Sequence, residues 1–383
     1  MARIERVTVL GSGTMGHGIA QISAMAGYKV IMRDVDQQFL DRAMERVRWS
    51  LNKLVEKGRI SSSDMTSILD RLSVTVDLEE AVRQSDLIIE AIPEDMRLKK
   101  ETFAKIDAIA PEGAVLASNT STLPITEMAS VTKREDKFIG IHFFNPPQLM
   151  QLVEVIPGAK TSRSTIDLAI DYVKSLKKEP ILCRKDVAGF IVNRIFIPLV
   201  HEAAWDLHDG KAEMREIDAA FKFRLGFPMG VFELADYTGI DVVHKATKEL
   251  HARDRRVVNP CPIIEDLYSK GYYGQKSGRG FYEYKQGEYA RIELSIHEAE
   301  RYDPVRLLAV AINNASWLIS NDVASKDDVE RALMLGMGIR EGIFKVAERV
   351  GYARLVDTLR ALKASSKNEF YDPDRFLLSL VKY

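Results

Sequence analysis

Cysteine is nearly absent from this chain: 383 residues carry only Cys183 and Cys261, in neither CxxC nor zinc-ligand spacing. That excludes a disulfide framework and a cysteine-built metal site, and predicts two reduced thiols in a reducing compartment. Excess charge is also missing. With 54 basic and 55 acidic side chains the formal net charge is −1, so no global field draws in nucleic acid or an anionic membrane, and an anionic ligand must be held by local charges. No run of about 20 apolar residues is available to span a bilayer. The first strand is predicted to begin near Arg6, leaving no room for a signal or transit peptide. The expectation is a cytoplasmic protein with neither nucleic-acid nor membrane partners. What is present is ordinary globular usage, 46% hydrophobic and 28% charged, at a length that suggests roughly two to three domains.

The first forty residues are the most informative. A strand (Val7-Thr8-Val9-Leu10) runs into Gly11-Ser12-Gly13-Thr14-Met15-Gly16, then an apolar-faced helix (Ile19, Ile22, Met25, Ala26), Gly27, a second strand (Tyr28 to Met32) and Asp34. Gly11 permits a tight turn, Gly13 lets a pyrophosphate approach the backbone, and Gly16 allows close packing of helix on strand. Phosphates would then meet free amides at the positive end of a helix. Asp34 stands where a carboxylate takes the adenosine ribose hydroxyls and repels a 2′-phosphate, which favours NAD over NADP. Arg33 beside it keeps NADP open.

Further strands are predicted at Val74–Val76, Leu87–Ile92, Ala114–Ala117, Phe138–Ile141 and Leu152–Ile156, with helices between them. Near-continuous apolar strands alternating with helices imply a mostly parallel sheet covered on both faces, a Rossmann-type doubly wound α/β fold. The stretch from Asp36 to Arg71, broken at Gly58 and re-capped at Ser61-Ser62-Ser63-Asp64, is too long for a simple crossover. It reads as a helical hairpin, either projecting over a ligand or merely a solvated pair of mixed charge.

Beyond about Asp186 the pattern is helical, most clearly from Asn193 to Leu207. A shift of 112 residues superposes Arg194 on Arg306, Trp205 on Trp317, Gly226 on Gly338, Gly230 on Gly342, Phe232 on Phe344 and Gly239 on Gly351. Such a register predicts an all-α region of two repeated helical domains, joined by a polar segment around Lys285 to Asp303. The domains are then 1–185, 186–284 and 303–383. The first copy has Asn193 and Pro228 where the second has Val305 and Arg340, so the first is expected to serve the site.

Ligands of a doubly wound sheet bind at the carboxyl ends of its strands. Two groups stand out there: His142 at the end of one strand and Glu154 in the next, with Asn145-Pro146-Pro147 turning the chain between them. Oxidation of an alcohol by NAD needs a base for the hydroxyl proton, and imidazole titrates near working pH. A carboxylate on its far nitrogen would fix the tautomer. On the residues alone, His142 could equally be a hydrogen-bonded histidine in a turn.

Seven stretches, taken in order, resemble the L-3-hydroxyacyl-CoA dehydrogenase family: Gly11 to Gly16, Glu90-Ala91-Ile92-Pro93-Glu94, Ser118 to Thr122, His142-Phe143-Phe144-Asn145-Pro146, Leu152 to Val155, Gly189 to Arg194, and Gly278-Arg279-Gly280-Phe281-Tyr282. The resemblance spans about residues 1 to 285, and the second helical copy looks like the extra domain of some members. It implies NAD-dependent, reversible oxidation of an (S)-3-hydroxyacyl-CoA such as 3-hydroxybutyryl-CoA to the 3-ketoacyl-CoA, acetoacetyl-CoA in that case. His142 would be the base and Glu154 its orienting partner, with Ser121 and Asn193 at the reacting oxygen. Gly11, Gly13, Thr14, Met15, Gly16, Asp34, Glu94, Lys99, Ser121 and Asn145 would hold the cofactor. Ser50 and Lys57 on the hairpin would hold the CoA end, joined by Ser121 and Asn193 as substrate contacts; no metal is implied. Family members with one helical domain dimerise through it, so the second copy is expected to occupy the partner's surface, giving a pseudo-dimeric monomer or a homodimer through another face. Acyl length, physiological direction and oligomeric state are not written in the residues. Three other readings stand beside this one: a dehydrogenase of free sugar acids using the same pair, an imine-type or phospho-sugar dehydrogenase, and a non-catalytic protein that kept the fold.

Overall fold

A computed structural model describes residues 4–254, 257–285 and 291–381. The chain divides after Asp186 into a sheet unit and a helical unit. The sheet unit holds eight strands: β1 (Arg6–Leu10), β2 (Lys29–Arg33), β3 (Leu72–Thr75), β4 (Leu87–Glu90), β5 (Val115–Ser118), β6 (Phe138–Phe143), β7 (Leu152–Pro157) and β8 (Glu179–Leu182). Its helices are α1 (Gly16–Met25), α2 (Gln37–Glu56), α3 (Ser62–Leu69), α4 (Leu78–Val82), α5 (Met96–Ile109), α6 (Ile125–Ala129) and α7 (Arg163–Ser175).

The strand order is β3-β2-β1-β4-β5-β6-β7-β8. Chain direction across the sheet reverses between β1 and β4, the switch point of a doubly wound sheet, and the glycine loop leaves β1 there. Every residue of β4, β5, β6 and β7 is buried, which is why these strands read as unbroken apolar runs. All neighbours pair in parallel except β6 and β7, which are antiparallel. The hairpin between β2 and β3 forms as two helices. Leu40, Ala43, Val47 and Leu51 line the buried stripe of α2; Gly58, at φ +63°, follows its end. Ser61 caps α3, its hydroxyl accepting from the Asp64 amide at 3.0 Å while the Asp64 carboxylate accepts from the Ser61 amide at 2.9 Å. One strand expectation shifts, and one further strand was not expected. β3 begins at Leu72, whose side chain is buried beside Val30, and β8 carries no apolar run to announce it, being four residues at the sheet edge with Pro180 among them, where a missing amide is tolerated.

The helical unit contains α8 (Val192–His208), α9 (Met214–Arg224), α10 (Val231–Thr238), α11 (Ile240–Arg253), α12 (Pro262–Ser269), α13 (Ile296–Ala299), α14 (Val305–Ser320), α15 (Lys326–Gly336), α16 (Ile343–Val350), α17 (Tyr352–Ser366) and α18 (Arg375–Ser379). It is not helix throughout. Residues 274–284 form an irregular strap pinned by Asp236, which accepts from the amides of Phe281 and Tyr282, both at 2.9 Å. Of the polar joining segment around Lys285 to Asp303, residues 286–290 lie outside the described residues.

Similar devices recur 112 positions apart. Asp218 on α9 accepts from the Phe232 and Glu233 amides that open α10, at 2.8 and 3.2 Å. Glu330 on α15 accepts from the Ile343 and Phe344 amides that open α16, at 2.5 and 3.0 Å. Gly230 and Gly342 precede those amides, and a Cβ on either would lie 2.1 Å from Asp218 or 2.4 Å from Glu330. Between the helical stretches, Arg306 on α14 binds Glu202 of α8 at 2.6 Å, and the Arg194 guanidinium of α8 lies 3.5 Å from the ring centre of Trp317 on α14. Among the described residues no helix is long and apolar enough to cross a membrane.

Candidate active site

The carboxyl edge of the sheet assembles most of the predicted residues. Gly11 has φ +94°, and a Cβ there would lie 2.5 Å from the Ala91 carbonyl oxygen; at Gly16 it would lie 1.8 Å from the Gly11 oxygen. Only glycine permits that turn and that approach of α1 to β1. At Gly13 nothing stands within 4 Å of where a Cβ would be, and Gly13 and Thr14 are exposed while Met15 is half-buried. An open crown above the first-turn amides of a helix suits a phosphate group. Asp34 follows β2. Its Oδ2 accepts from the Ser12 amide and hydroxyl, both at 2.7 Å, and Oδ1 from the Val35 amide at 2.7 Å. A carboxylate offers about four acceptor positions, so Asp34 ties the loop to β2 and keeps capacity for a ribose hydroxyl. The neighbouring Arg33 donates from Nε to the Val76 carbonyl at 3.1 Å. These residues fit a dinucleotide.

Glu90 ends β4, and Lys99 lies on α5. Lys99 is 1% exposed although its neighbour Leu98 is 39% exposed. Its ammonium bonds Glu90 Oε1 at 2.5 Å and Glu94 Oε2 at 3.1 Å. Burial would lower the Lys99 proton affinity, but the two carboxylates outweigh it and the pKa is raised. Burial would likewise raise the Glu94 carboxyl; Lys99 and the bonds from Thr120 and Ser121 hold it below its ordinary value instead. Glu94 Oε1 accepts from the Thr120 hydroxyl at 2.5 Å and the Ser121 amide at 3.1 Å, which places the half-buried Ser121 against it.

His142 on β6 and Glu154 on β7 are direct partners in the antiparallel register, so their side chains share one face. His142 Nδ1 lies 2.8 Å from Glu154 Oε2, with 6% of His142 and none of Glu154 exposed. A carboxylate on Nδ1 holds the proton there and fixes the tautomer of the ring. Asn119 was given no role from the residue pattern, yet its Oδ1 accepts from the Phe143 amide at 2.9 Å and steadies the backbone beside His142. Only a polar residue just past a buried strand hints at it. Asn145 is exposed on the loop from β6 to β7. Ser50 lies on α2 and accepts from Gln21 Nε2 at 3.0 Å, while Lys57 is exposed just past the helix end. Asn193 is the second residue of α8, in the other unit.

Comparison with known proteins follows this geometry. The NAD binding domain of 3-hydroxyacyl-CoA dehydrogenase matches residues 6–187. The C-terminal domain of the same enzyme matches residues 189–284 and again 305–383. The chain is similar to a 3-hydroxybutyryl-CoA dehydrogenase of Clostridioides difficile, 41% identical over 286 residues that cover 73% of this chain and 100% of that protein. It is also similar to a probable 3-hydroxybutyryl-CoA dehydrogenase of Bacillus subtilis (strain 168), 39% identical and covering 74% of this chain and 98% of that one. A crystal structure of 3-hydroxybutyryl-CoA dehydrogenase from Escherichia coli K12 superposes with a TM-score of 0.87 at 27% identity, covering 99% of this chain and 98% of that one.

Proposed function

The chain belongs to the 3-hydroxyacyl-CoA dehydrogenase family, and from that premise we propose how its own residues perform the reaction. The activity is NAD-dependent dehydrogenation at the 3-hydroxyl of an acyl-CoA. We take the substrate to be an (S)-3-hydroxyacyl-CoA, with 3-hydroxybutyryl-CoA as the test case. When bound, NAD supplies the hydride acceptor. Gly11, Gly13, Thr14, Met15 and Gly16 receive its phosphates and Asp34 its ribose hydroxyls, while Glu94, Ser121 and Asn145 orient its reactive end; Lys99 acts beside them.

His142 Nε2 takes the hydroxyl proton as the carbinol hydrogen leaves as hydride, and returns a proton in the reverse direction. Glu154 keeps Nδ1 protonated and stabilises the imidazolium that forms. Ser121 and Asn193 bond the reacting oxygen. Ser50 on α2 and Lys57 just past its end supply a hydroxyl and a cation and suit the nucleotide end of CoA, a polyanion. The observation that carries this reading is the 2.8 Å contact between His142 and Glu154 in a buried register pair. The test is reduction of acetoacetyl-CoA by NADH, compared with free acetoacetate and sugar acids. Turnover confined to the thioester is expected; turnover of the free acids at equal efficiency would overturn the CoA assignment.

For the helical unit we propose two copies of one domain, 186–284 and 303–383, after a cofactor domain of 1–185. The matched carboxylate caps at Asp218 and Glu330 and the contacts between α8 and α14 support it. Such packing makes one chain a pseudo-dimer, either as a monomer or as a homodimer through another face. Two buried thiols, Cys183 and Cys261, fit the reducing cytoplasm.

A further inference from the structure

Between the glycine loop and His142 lies a constellation whose charge the reaction, as derived, leaves unused. Along the carboxyl edge the strands run β1, β4, β5, β6. β1 leads into Gly11 and β6 carries His142, three strand spacings apart, or roughly 14 Å at about 4.8 Å each. A dinucleotide held by its phosphates at the first and reacting beside the second must pass the ends of β4 and β5. There stand Glu90, Lys99 and Glu94.

The three groups are bound chiefly to one another and to the neighbouring backbone and hydroxyls. The Lys99 ammonium has three protons, and its acceptors are Glu90 Oε1 at 2.5 Å, Glu94 Oε2 at 3.1 Å and the Ile92 carbonyl at 3.3 Å. Glu90 also accepts from the Ile92 amide at 2.8 Å and the Ser118 hydroxyl at 2.6 Å. Glu94 also accepts from Thr120 and Ser121. Three donors on each carboxylate favour the ionised form; at Glu90 they act against burial, which pushes its carboxyl up. Two carboxylates on one ammonium leave one negative charge uncompensated. Glu90 and Lys99 are at most 1% exposed, so water and salt screen that charge little.

We infer that Glu90 and Lys99 are positioning residues, which hold Glu94 and Ser121 in place. Their residual negative charge favours oxidised NAD, whose nicotinamide ring is cationic, over neutral NADH. The inference rests on the NAD site proposed above. It gives Lys99 a role through Glu94, and it assigns a function to Glu90, which the residue pattern leaves as the end of an apolar strand.

The test is separate titration of the full-length protein with NADH, by fluorescence, and with oxidised NAD, by displacement. Glu90→Gln removes one negative charge and is expected to weaken oxidised NAD roughly three- to tenfold, the scale of one charge at mid-range in a partly buried site, while NADH changes less than about twofold. Glu94→Gln makes the same charge change from the other carboxylate and must shift the ratio in the same direction, which keeps the test valid if Glu90→Gln fails to fold. Ser118→Ala deletes a hydrogen bond without changing charge and is expected to leave the ratio alone. Equal weakening of both cofactors in the charge variants, or no change in either, would overturn the inference, as would a shifted ratio in Ser118→Ala. Wild-type protein that binds neither cofactor would overturn the NAD site itself and this inference with it.

Discussion

Glu154 on β7 and Glu90 at the end of β4 are both buried to 0% exposure, and each meets a nitrogen base, at 2.8 Å and 2.5 Å respectively. The bases differ. On an imidazole, a carboxylate fixes the tautomer and the orientation of the ring. The Lys99 ammonium, with its pKa raised by two carboxylates against the cost of burial, holds its charge throughout. Burial pushes the Glu90 carboxyl up, against the pull of Lys99 and Ser118. On the proposed reading one pair moves a proton and the other holds a fixed field, although a glutamate carboxylate serves in each. The difference lies in the partner.

Breaking the proton-moving pair should give the largest effect on turnover. His142→Gln is expected to lower kcat about 10³-fold or more with acetoacetyl-CoA, the scale of a lost general acid–base, with NADH binding retained in a fluorescence titration. Near-normal turnover would remove the assigned base. Breaking the field-setting group should instead show in stability. Lys99→Met strands two carboxylates, and loss of one partner from a buried ion pair costs about 3–5 kcal/mol, to be read from urea unfolding; an unchanged midpoint would mean that Lys99 is not held as described. Glu154→Gln sharpens the contrast at a smaller scale. It leaves the imidazole in place with its orientation and imidazolium poorly supported, so kcat should fall about 10²-fold with only a modest change in the unfolding midpoint. A loss of stability matching that of Lys99→Met would show the two acids to be doing the same structural work.

How much of this was legible depended on how local the signal was. The run from β1 through the glycine loop to Asp34 is a succession of short-range patterns, and strand, turn and helix each declare themselves within a few residues. His142 and Glu154 stood out as polar residues in apolar strands. That they face each other is a matter of register, set by the loop through Asn145, Pro146 and Pro147 and by the antiparallel turn of β7. Lys99 was harder. In Met96-Arg97-Leu98-Lys99-Lys100-Glu101 a hydropathy pattern buries Leu98 and exposes both lysines; the structure buries Lys99 and half-buries Lys100, which pairs with Glu127 at 2.7 Å. A cation enters a core only when carboxylates await it, and those acids, at Glu90 and Glu94, sit in other elements. β8 was illegible for a related reason, since an edge strand of four residues needs a neighbour more than a pattern.

The finest test of the contrast uses two adjacent residues at the end of β5. Ser118 turns its hydroxyl to Glu90 at 2.6 Å, whereas Asn119 accepts from the Phe143 amide at 2.9 Å, next to His142. One serves the fixed charge and the other the proposed proton carrier. Ser118→Ala removes a hydrogen bond to a buried charge and should lower the unfolding free energy by about 1.5–3 kcal/mol, with kcat within about twofold of wild type. Asn119→Ala leaves a backbone amide without that acceptor, at a cost of about 1–3 kcal/mol, and should also lower kcat several-fold, because the imidazole rides on the strand it loosens. Equal stability losses with unequal turnover are therefore the expected pair of results. If both variants lost turnover alike, the β4 and β6 constellations would be one coupled network, and the division between moving and holding charge would fail.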